Sequence, residues 1–296
     1  MYVFRFKTVL LFLALFCALA FSLNYFIIQD RGGAYEELAV SGDASVELPI
    51  IMYHGVIDQS KWVNEYVISK ESFESDLIYL KQNGYTTVTI GEVIDYVYSG
   101  APLPEKPIVL TFDDGFYNNL SIVYPLLEKY NMKAVISVVG AYTDKYSELD
   151  DKNPGYAYLS WDDVRFLSES GLVEIGNHSY DMHSIDSSRN GTKKNKNESE
   201  EHYRKALTED AGKMQELCAE NLGFEPLVFT YPYGAISECS IDILNEIGFK
   251  ASLSCEERMN YISVGDASSL CCMNRFFRSN DKSLSAILTD GLEIRR

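Results

Sequence analysis

Three of the four histidines in the chain lie in segments that follow short apolar runs. They are His54 in Tyr53-His-Gly55, and His178 and His183 in Asn177-His-Ser-Tyr-Asp-Met-His183. Two adjacent carboxylates, Asp113 and Asp114, close a third such run in Thr111-Phe-Asp-Asp-Gly115. Two histidines and a carboxylate can hold a divalent metal and still leave a position for water, the pattern of catalytic zinc. Water bound in that position has a pKa near ~7 and is a nucleophile at neutral pH. A second carboxylate next door can take the proton that the water gives up. Because Asp113 and Asp114 are sequential, extended backbone points their side chains to different sides, so one can ligate while the other stays free as a base. Taken singly, Asp-Asp-Gly is an ordinary polar turn and each histidine a core or surface group. Their joint placement at strand ends is what points to a metal site.

The elements that must position these residues alternate. Pro49–Tyr53 has a strand pattern, Lys70 to Asn83 carries Phe73, Leu77 and Leu80 at helical spacing, and Thr86–Ile90 again looks like a strand. A helix is expected over 91–98, an almost wholly apolar strand over 107–112, a helix over 120–130 and a strand over 134–139. A helix over 161–170 ends at Gly171 in a C-cap position, and a strand over 173–176 and a long helix over 200–221 follow. The series closes with strands at 226–231 and 250–254 around a helix over 240–247. Such alternation gives an α/β fold with a parallel sheet. About seven units make a distorted (β/α) barrel natural, and barrels gather catalytic residues at the C-terminal ends of their strands. The polar stretch from Ser187 to Glu198, with its lysines, is expected to be an exposed, structureless loop near that face.

Composition narrows the function classes. Hydrophobic residues make up 46% of the 296, enough for a substantial core. With 26 basic against 43 acidic residues the formal charge is −17, so no nucleic-acid partner is expected, because phosphate binding needs clustered Lys and Arg. From Thr8 to Ile28 no charged residue occurs, about the length of one membrane-spanning helix. The run continues past Ala18-Leu-Ala20, where a signal peptide could be cut, so an uncleaved anchor is expected; cleavage there would instead secrete the domain. With Arg5 and Lys7 retained inside, the rest of the chain is extracytoplasmic. The expected organisation is therefore an anchor over 1–29, a linker over 30–47 and a catalytic domain over 48–296. Beyond Cys17 lie five cysteines without zinc-type spacing, open between buried thiols and one or two disulfides.

Thr111-Phe-Asp-Asp-Gly115, followed by His178-Ser179 and His183, resembles the polysaccharide deacetylase family, carbohydrate esterase family 4 with the NodB-homology fold. Leu159-Ser-Trp-Asp-Asp-Val164, Glu174-Ile-Gly-Asn-His178 and Phe229-Thr-Tyr-Pro-Tyr-Gly234 match further stretches of it. Leu48-Pro-Ile-Ile-Met-Tyr-His-Gly-Val56 is similar to the poly-N-acetylglucosamine deacetylase branch. The resemblance implies a divalent metal on Asp114, His178 and His183, with zinc the default ion and cobalt or nickel acceptable to the same set. It implies Asp113 as general base and the backbone N–H of Tyr233 as an oxyanion donor. The implied partner is a polysaccharide bearing N-acetylglucosamine, in peptidoglycan or an exopolysaccharide. Two departures stand out. The family's base-orienting Arg is replaced by Thr230, for which Arg275 is a candidate substitute, and no histidine follows His202 to act as the late acid. In the similar branch a first-strand histidine is the acid, which makes His54 the candidate here. Tyr180, Tyr231, Tyr233 and Trp161 are candidates for a sugar groove, whereas Asp162 is read as a helix-start residue and His202 as exposed.

Glycoside hydrolysis also uses paired carboxylates, but about 5–9.5 Å apart across the bond and without need of histidines, which adjacent Asp113 and Asp114 do not suit. The same residues are compatible with removal of O-acetyl groups from a polysaccharide, and with a degenerate wall-binding protein that kept the fold.

Overall fold

Alternating side-chain direction along parallel strands builds the interior of this protein layer by layer. The computed structural model describes residues 45–185 and 189–293. The expected anchor over 1–29, and all but the end of the linker, lie outside the described residues. Within the described residues no helix is long and apolar enough to cross a membrane.

The chain opens with β1 (Val46–Leu48), β2 (Ile50–Tyr53), β3 (Gly55–Ile57) and β4 (Val67–Ser69), then α1 (Lys70–Gln82) and β5 (Thr86–Thr87). Next come α2 (Ile90–Ser99), β6 (Pro107–Phe112), α3 (Tyr124–Tyr130), β7 (Ala134–Val138), α4 (Gly140–Leu149), α5 (Trp161–Glu169) and β8 (Val173–Asn177). The remainder is α6 (Glu200–Leu222), β9 (Val228–Thr230), α7 (Ser240–Ile247), β10 (Ala251–Leu253), β11 (Asn260–Ile262), β12 (Phe276–Phe277) and α8 (Leu284–Glu293). One sheet runs in the order β10-β9-β8-β7-β6-β2-β12, with every neighbour parallel and β5 added beside β6. The seven strands curl into a half-barrel rather than a closed barrel. Between its two edges, β10 and the segment leading into β12 form no ladder among the described residues beyond the bridge of Leu253 to Met273, beside which Arg275 N–H bonds Glu256 O at 2.9 Å.

Local chemistry explains where elements begin and bend. The expected strand over 86–90 stops after Thr87, because Thr89 caps α2 instead. Its hydroxyl accepts from Glu92 N–H, and the Glu92 carboxylate accepts from Thr89 N–H. The expected helix over 120–130 starts as a π-turn at Asn119–Val123, in which Tyr124 N–H reaches back five residues to Asn119 O. Pro125 supplies no N–H, so the regular ladder cannot run through this point. Sequence periodicity missed α4, whose buried positions are only Gly140 and Thr143. β1 pairs antiparallel with β11, so the compact unit begins at Ser45, slightly inside the stretch read as linker.

Register sorts the sheet into two faces. Ile51, Leu110, Ile136 and Ile175 point outward into a core shared with the helices, alongside Phe73, Leu77 and Leu80 of α1. Val109, Val135 and Val228 point inward at the bottom, where Val93, Ile94 and Val97 of α2 plug the barrel. One layer up on the inner face lie Thr111, Ser137, Gly176 and Thr230, paired through Ser137 Oγ and Thr230 Oγ1 at 2.7 Å. The next inward positions, just past the strand ends, are Asp113 and His178. The fold thus delivers the ionisable residues to the C-terminal mouth of the half-barrel.

Candidate active site

Asp113 follows β6, its N–H bonded to Tyr53 O at 3.0 Å and its carboxylate buried. Arg275, entering from the segment before β12, donates to both carboxylate oxygens, at 2.7 and 2.8 Å. Its other N–H groups reach Ser254 O at 2.7 Å, Thr111 Oγ1 at 3.2 Å and Cys255 Sγ at 3.6 Å, so all five donors of a fully buried guanidinium are used. Burial would raise the Asp113 pKa, but Arg275 and then His178 outweigh it and hold the carboxyl below its ordinary range. Thr230, where the family pattern would have an Arg, instead bonds Ser137 through its hydroxyl and His178 through its carbonyl.

A turn of two left-handed residues separates the two aspartates in direction. Asp114 has φ +72° and Gly115 φ +72°. At Gly115 a Cβ would come within 2.7 Å of the Val138 side chain, so only glycine fits. Asp114 Oδ1 then faces His183 Nε2 at 2.9 Å and His178 Nε2 at 3.5 Å. Burial opposes its ionisation, but the bonds to the two imidazoles more than offset that and hold the carboxyl well below its usual value.

Each histidine is oriented by its other ring nitrogen. His178 Nδ1 lies 2.7 Å from Thr230 O, and because a carbonyl only accepts, Nδ1 carries the proton and Nε2 is left as the ligand atom. The Tyr233 hydroxyl donates to His183 O at 3.3 Å and lies 3.2 Å from His183 Nδ1, while its ring sits 4.7 Å from the imidazole. One ligand atom each from Asp114, His178 and His183 lies within 4.8 Å of the others. Two Nε2 atoms and one carboxylate oxygen, with the Nδ1 atoms occupied elsewhere, fit a divalent cation of the zinc type.

His54 sits across the mouth. Its carbonyl accepts from Asn119 Nδ2 at 3.0 Å, and its ring packs edge-on against Tyr66 at 5.2 Å and Phe277 at 5.9 Å. Nδ1 has no hydrogen-bond partner among the described residues, so the ring is not fixed there to a backbone group. Burial lowers the pKa of His54, and Asp113 and Asp114 pull it partly back. Tyr233 has φ +58°, and its N–H has no partner among the described residues. A cleft of about 830 Å³ joins these groups, lined by His54, Asp113, Asp114, His178, His183 and Tyr233. Tyr66, Phe116, Ile185, Cys255 and Phe277 are among the residues forming its walls.

His54, Asp113, Asp114, His178, His183 and Tyr233 therefore meet at one mouth, but three of the four groove aromatics do not line it. Trp161 is buried with Nε1 on Asp144 at 2.8 Å, Tyr180 donates to the same carboxylate, and Tyr231 is buried against Ser240. Tyr66 and Phe277, outside the recognised motifs, line the cleft instead. Asn119 was also missed, although its place just after Asp-Asp-Gly at the start of a helical run was a usable signal. Asp162 lies in the first turn of α5, where the capping pair is Ser160 with Asp163, and His202 is exposed on Glu198. Cys218, Cys239, Cys255, Cys271 and Cys272 are all free thiols. The supposedly structureless polar loop is tied down where described, with Arg189 on Glu198 at 2.6 Å and buried Thr192 bonded to Ala235 O.

The sequence model of the family described as polysaccharide deacetylase matches residues 100–252. The poly-beta-1,6-N-acetyl-D-glucosamine N-deacetylase of Escherichia coli K12 is 28% identical over 252 residues, covering 79% of this chain and 37% of that protein. The chain thus spans well under half the length of this relative. Among solved structures, a de-N-acetylase from Aggregatibacter actinomycetemcomitans superposes with a TM-score of 0.70 at 26% identity, covering 82% of this chain and 99% of that one. IcaB from Ammonifex degensii gives a TM-score of 0.65 at 28% identity, covering 81% and 94%.

Proposed function

We propose that this chain, which belongs to the polysaccharide deacetylase family, hydrolyses the N-acetyl groups of N-acetylglucosamine residues in a poly-N-acetylglucosamine-type polysaccharide. The observation that carries the reading is the buried Asp113 carboxylate, held ionised by Arg275 beside three convergent ligand atoms from Asp114, His178 and His183. A divalent metal held by those three residues, zinc by default and cobalt or nickel as acceptable substitutes, would polarise the acetyl carbonyl and lower the pKa of water. Asp113 takes the proton of the attacking water as general base, oriented by the Arg275 fork. The Tyr233 N–H, without a partner among the described residues, supports an oxyanion role as the carbonyl oxygen gains charge. His54, which lines the cleft opposite the ligand residues between Tyr66 and Phe277, is placed to donate a proton to the departing amine. With Arg275 in the place of the missing motif Arg, the case for a degenerate wall-binding protein loses its main support.

The amide preference rests on the named activities of the similar proteins. It is tested by incubating the chain with a β-1,6-linked N-acetylglucosamine pentamer and with acetylated xylan, following free amine and acetate. Amine appearing with acetate from the pentamer supports N-deacetylation, and acetate from xylan alone makes the chain an O-acetyl esterase. We also propose that the catalytic domain lies outside the cytoplasmic membrane, tethered by the apolar run over 8–28, whose support is its length and lack of charge.

A further inference from the structure

His54 sits where the chain leaves the main sheet. β2 pairs with β6 as far as Tyr53 and Phe112, and Asp113 N–H then bonds Tyr53 O at 3.0 Å. Beyond that point the chain after β6 turns away through Asp114 and Gly115, both in the left-handed region. The segment bearing His54 runs on into β3, which has β4 along one edge, where Gly55 N–H bonds Tyr66 O at 3.3 Å. Successive residues of a strand aim their backbone groups at opposite edges, so His54 O and Val56 N–H face the other way. On that edge two buried side chains stand where a strand would. Asn119 Nδ2 donates to His54 O at 3.0 Å, and Asn118 Oδ1 accepts from Val56 N–H at 3.1 Å. Asn119 Nδ2 also donates to Asn118 Oδ1 at 3.3 Å, and Asn118 Nδ2 donates to Pro154 O at 2.9 Å. Both asparagines follow closely on the Asp113-Asp114-Gly115 turn, and Asn119 N–H closes that loop on Phe116 O at 2.9 Å.

Packing alone does not explain Asn119. It is fully buried, yet its Oδ1 has no hydrogen-bond partner among the described residues. A carbonyl only accepts, so the amide cannot be turned over to satisfy Oδ1 without losing the bond to His54 O. An apolar side chain of the same shape avoids the desolvation cost of such a group. What the amide provides is a tie between the backbone of His54 and the loop that carries Asp113 and Asp114.

We propose that Asn119 is a positioning residue for the reaction: by holding the carbonyl of His54 it sets where the imidazole stands relative to Asp113 and the three ligand atoms. This rests on the deacetylase reading above and on His54 as the acid in it. Asn118 secures the same strand two residues on, through Val56, so the tie resists rotation as well as displacement. A general acid must lie within hydrogen-bond reach of the departing amine, and a displacement on the order of 1 Å costs about 10²-fold in rate. Asp113 and Asp114 lie at one end of the tie and His54 at the other, so the two sides of the mouth are held in one frame.

The experiment is a double-mutant cycle in the intact chain, measuring kcat and KM for acetate release from the β-1,6-linked pentamer in wild type, Asn119→Leu, His54→Gln and the double variant. Asn119→Leu keeps the shape of the side chain and removes its donor. It is expected to lower kcat by about 10–10²-fold, with KM within about twofold and zinc content unchanged. In the His54→Gln background the same substitution should lower kcat by less than about twofold, because the group it positions is gone. A full drop in both backgrounds, which is what a general structural lesion produces, overturns the proposal, and so does no drop in wild type. Asn119→Ser goes through the same cycle if Asn119→Leu melts below the assay temperature. Nuclear magnetic resonance of the four histidine rings separates this from the deacetylase reading. If wild type releases no acetate, that reading fails. A His54 signal, identified by its loss in His54→Gln, that shifts and broadens in Asn119→Leu while the other three stay sharp still supports the tie. An unmoved, sharp His54 signal overturns it.

Discussion

Arg275 and Asp113 lie 162 residues apart in sequence and meet through two parallel N–H···O bonds of 2.7 and 2.8 Å in the interior of the half-barrel. The pairing is geometric as well as electrostatic, since a planar fork fixes the carboxylate plane in a way a point charge does not. Arg275→Lys should therefore retain charge but lose orientation, lowering kcat by roughly 10²-fold with little change in KM. Arg275→Met should leave a buried carboxylate unpaired and cost about 3–5 kcal/mol of stability, read by denaturant unfolding. Full activity in the Lys variant would show that the fork does not orient the base.

Among the described residues His54 Nδ1 bonds no backbone group, and His54 is not one of the three clustered ligand residues, so its substitution should affect chemistry and not binding of metal. His54→Gln is expected to lower kcat by on the order of 10²–10³-fold while zinc content, measured by elemental analysis, stays at wild-type level. Loss of zinc together with activity would move His54 into the ligand set.

Zinc should stabilise the folded chain through Asp114, His178 and His183. At a free concentration about 1,000 times Kd, binding to the native state alone contributes about 4 kcal/mol, visible as a raised unfolding midpoint that chelator reverses. In Asp114→Asn and His178→Ala the zinc-induced shift should be nearly abolished. An undiminished shift in both would place the metal elsewhere.

The bottom of the barrel carries a separate titration. Glu174 faces inward there and accepts from Gly91 N–H of α2 at 3.0 Å. Burial raises its pKa to about 7 despite that bond and those from Ile90 and Thr89. The folded state thus holds a proton that the unfolded chain has lost, in the window between about 4.5 and 7. Stability must fall as pH rises through that window, and the full cost is present above it. Glu174→Gln keeps an acceptor for Gly91 but removes the charge. It should be more stable than wild type by on the order of 2 kcal/mol at pH 8 and show little or no gain at pH 5. A difference independent of pH between the two proteins would contradict this.

Much of the site was legible in the sequence because His54, Asp113 and His178 each sit one step past a strand, with Asp114 and His183 shortly after, and strand ends are read well from hydrophobic pattern. Asp113, Asp114, His178 and His183 come from two such ends, and His54 from the first. The partner of Asp113 was harder to find. Arg275 precedes a strand of only two residues, Phe276–Phe277, too short to leave a periodic signal. Tyr66 was invisible for a related reason, since an exposed tyrosine in a loop resembles any other until Asn64 is seen to hold it. Trp161 and Tyr180 failed in the opposite direction. Both satisfy their polar tips on Asp144 inside the packing, which sequence alone does not distinguish from a sugar platform. Half-barrel and full barrel share one strand–helix pattern, so the break in the ladder between β10 and β12, where Leu253 and Met273 form a single bridge, could be found only in three dimensions.

The most direct measurement is acetate release from the β-1,6-linked N-acetylglucosamine pentamer by the intact chain, as purified, after chelation, after return of zinc, and in Asp113→Asn. Release should be abolished by chelation and restored by zinc, with Asp113→Asn lower by at least about 10²-fold at unchanged zinc content. Release that survives complete removal of metal, or an Asp113→Asn variant as active as wild type, would contradict a metal-assisted deacetylase with Asp113 as its base.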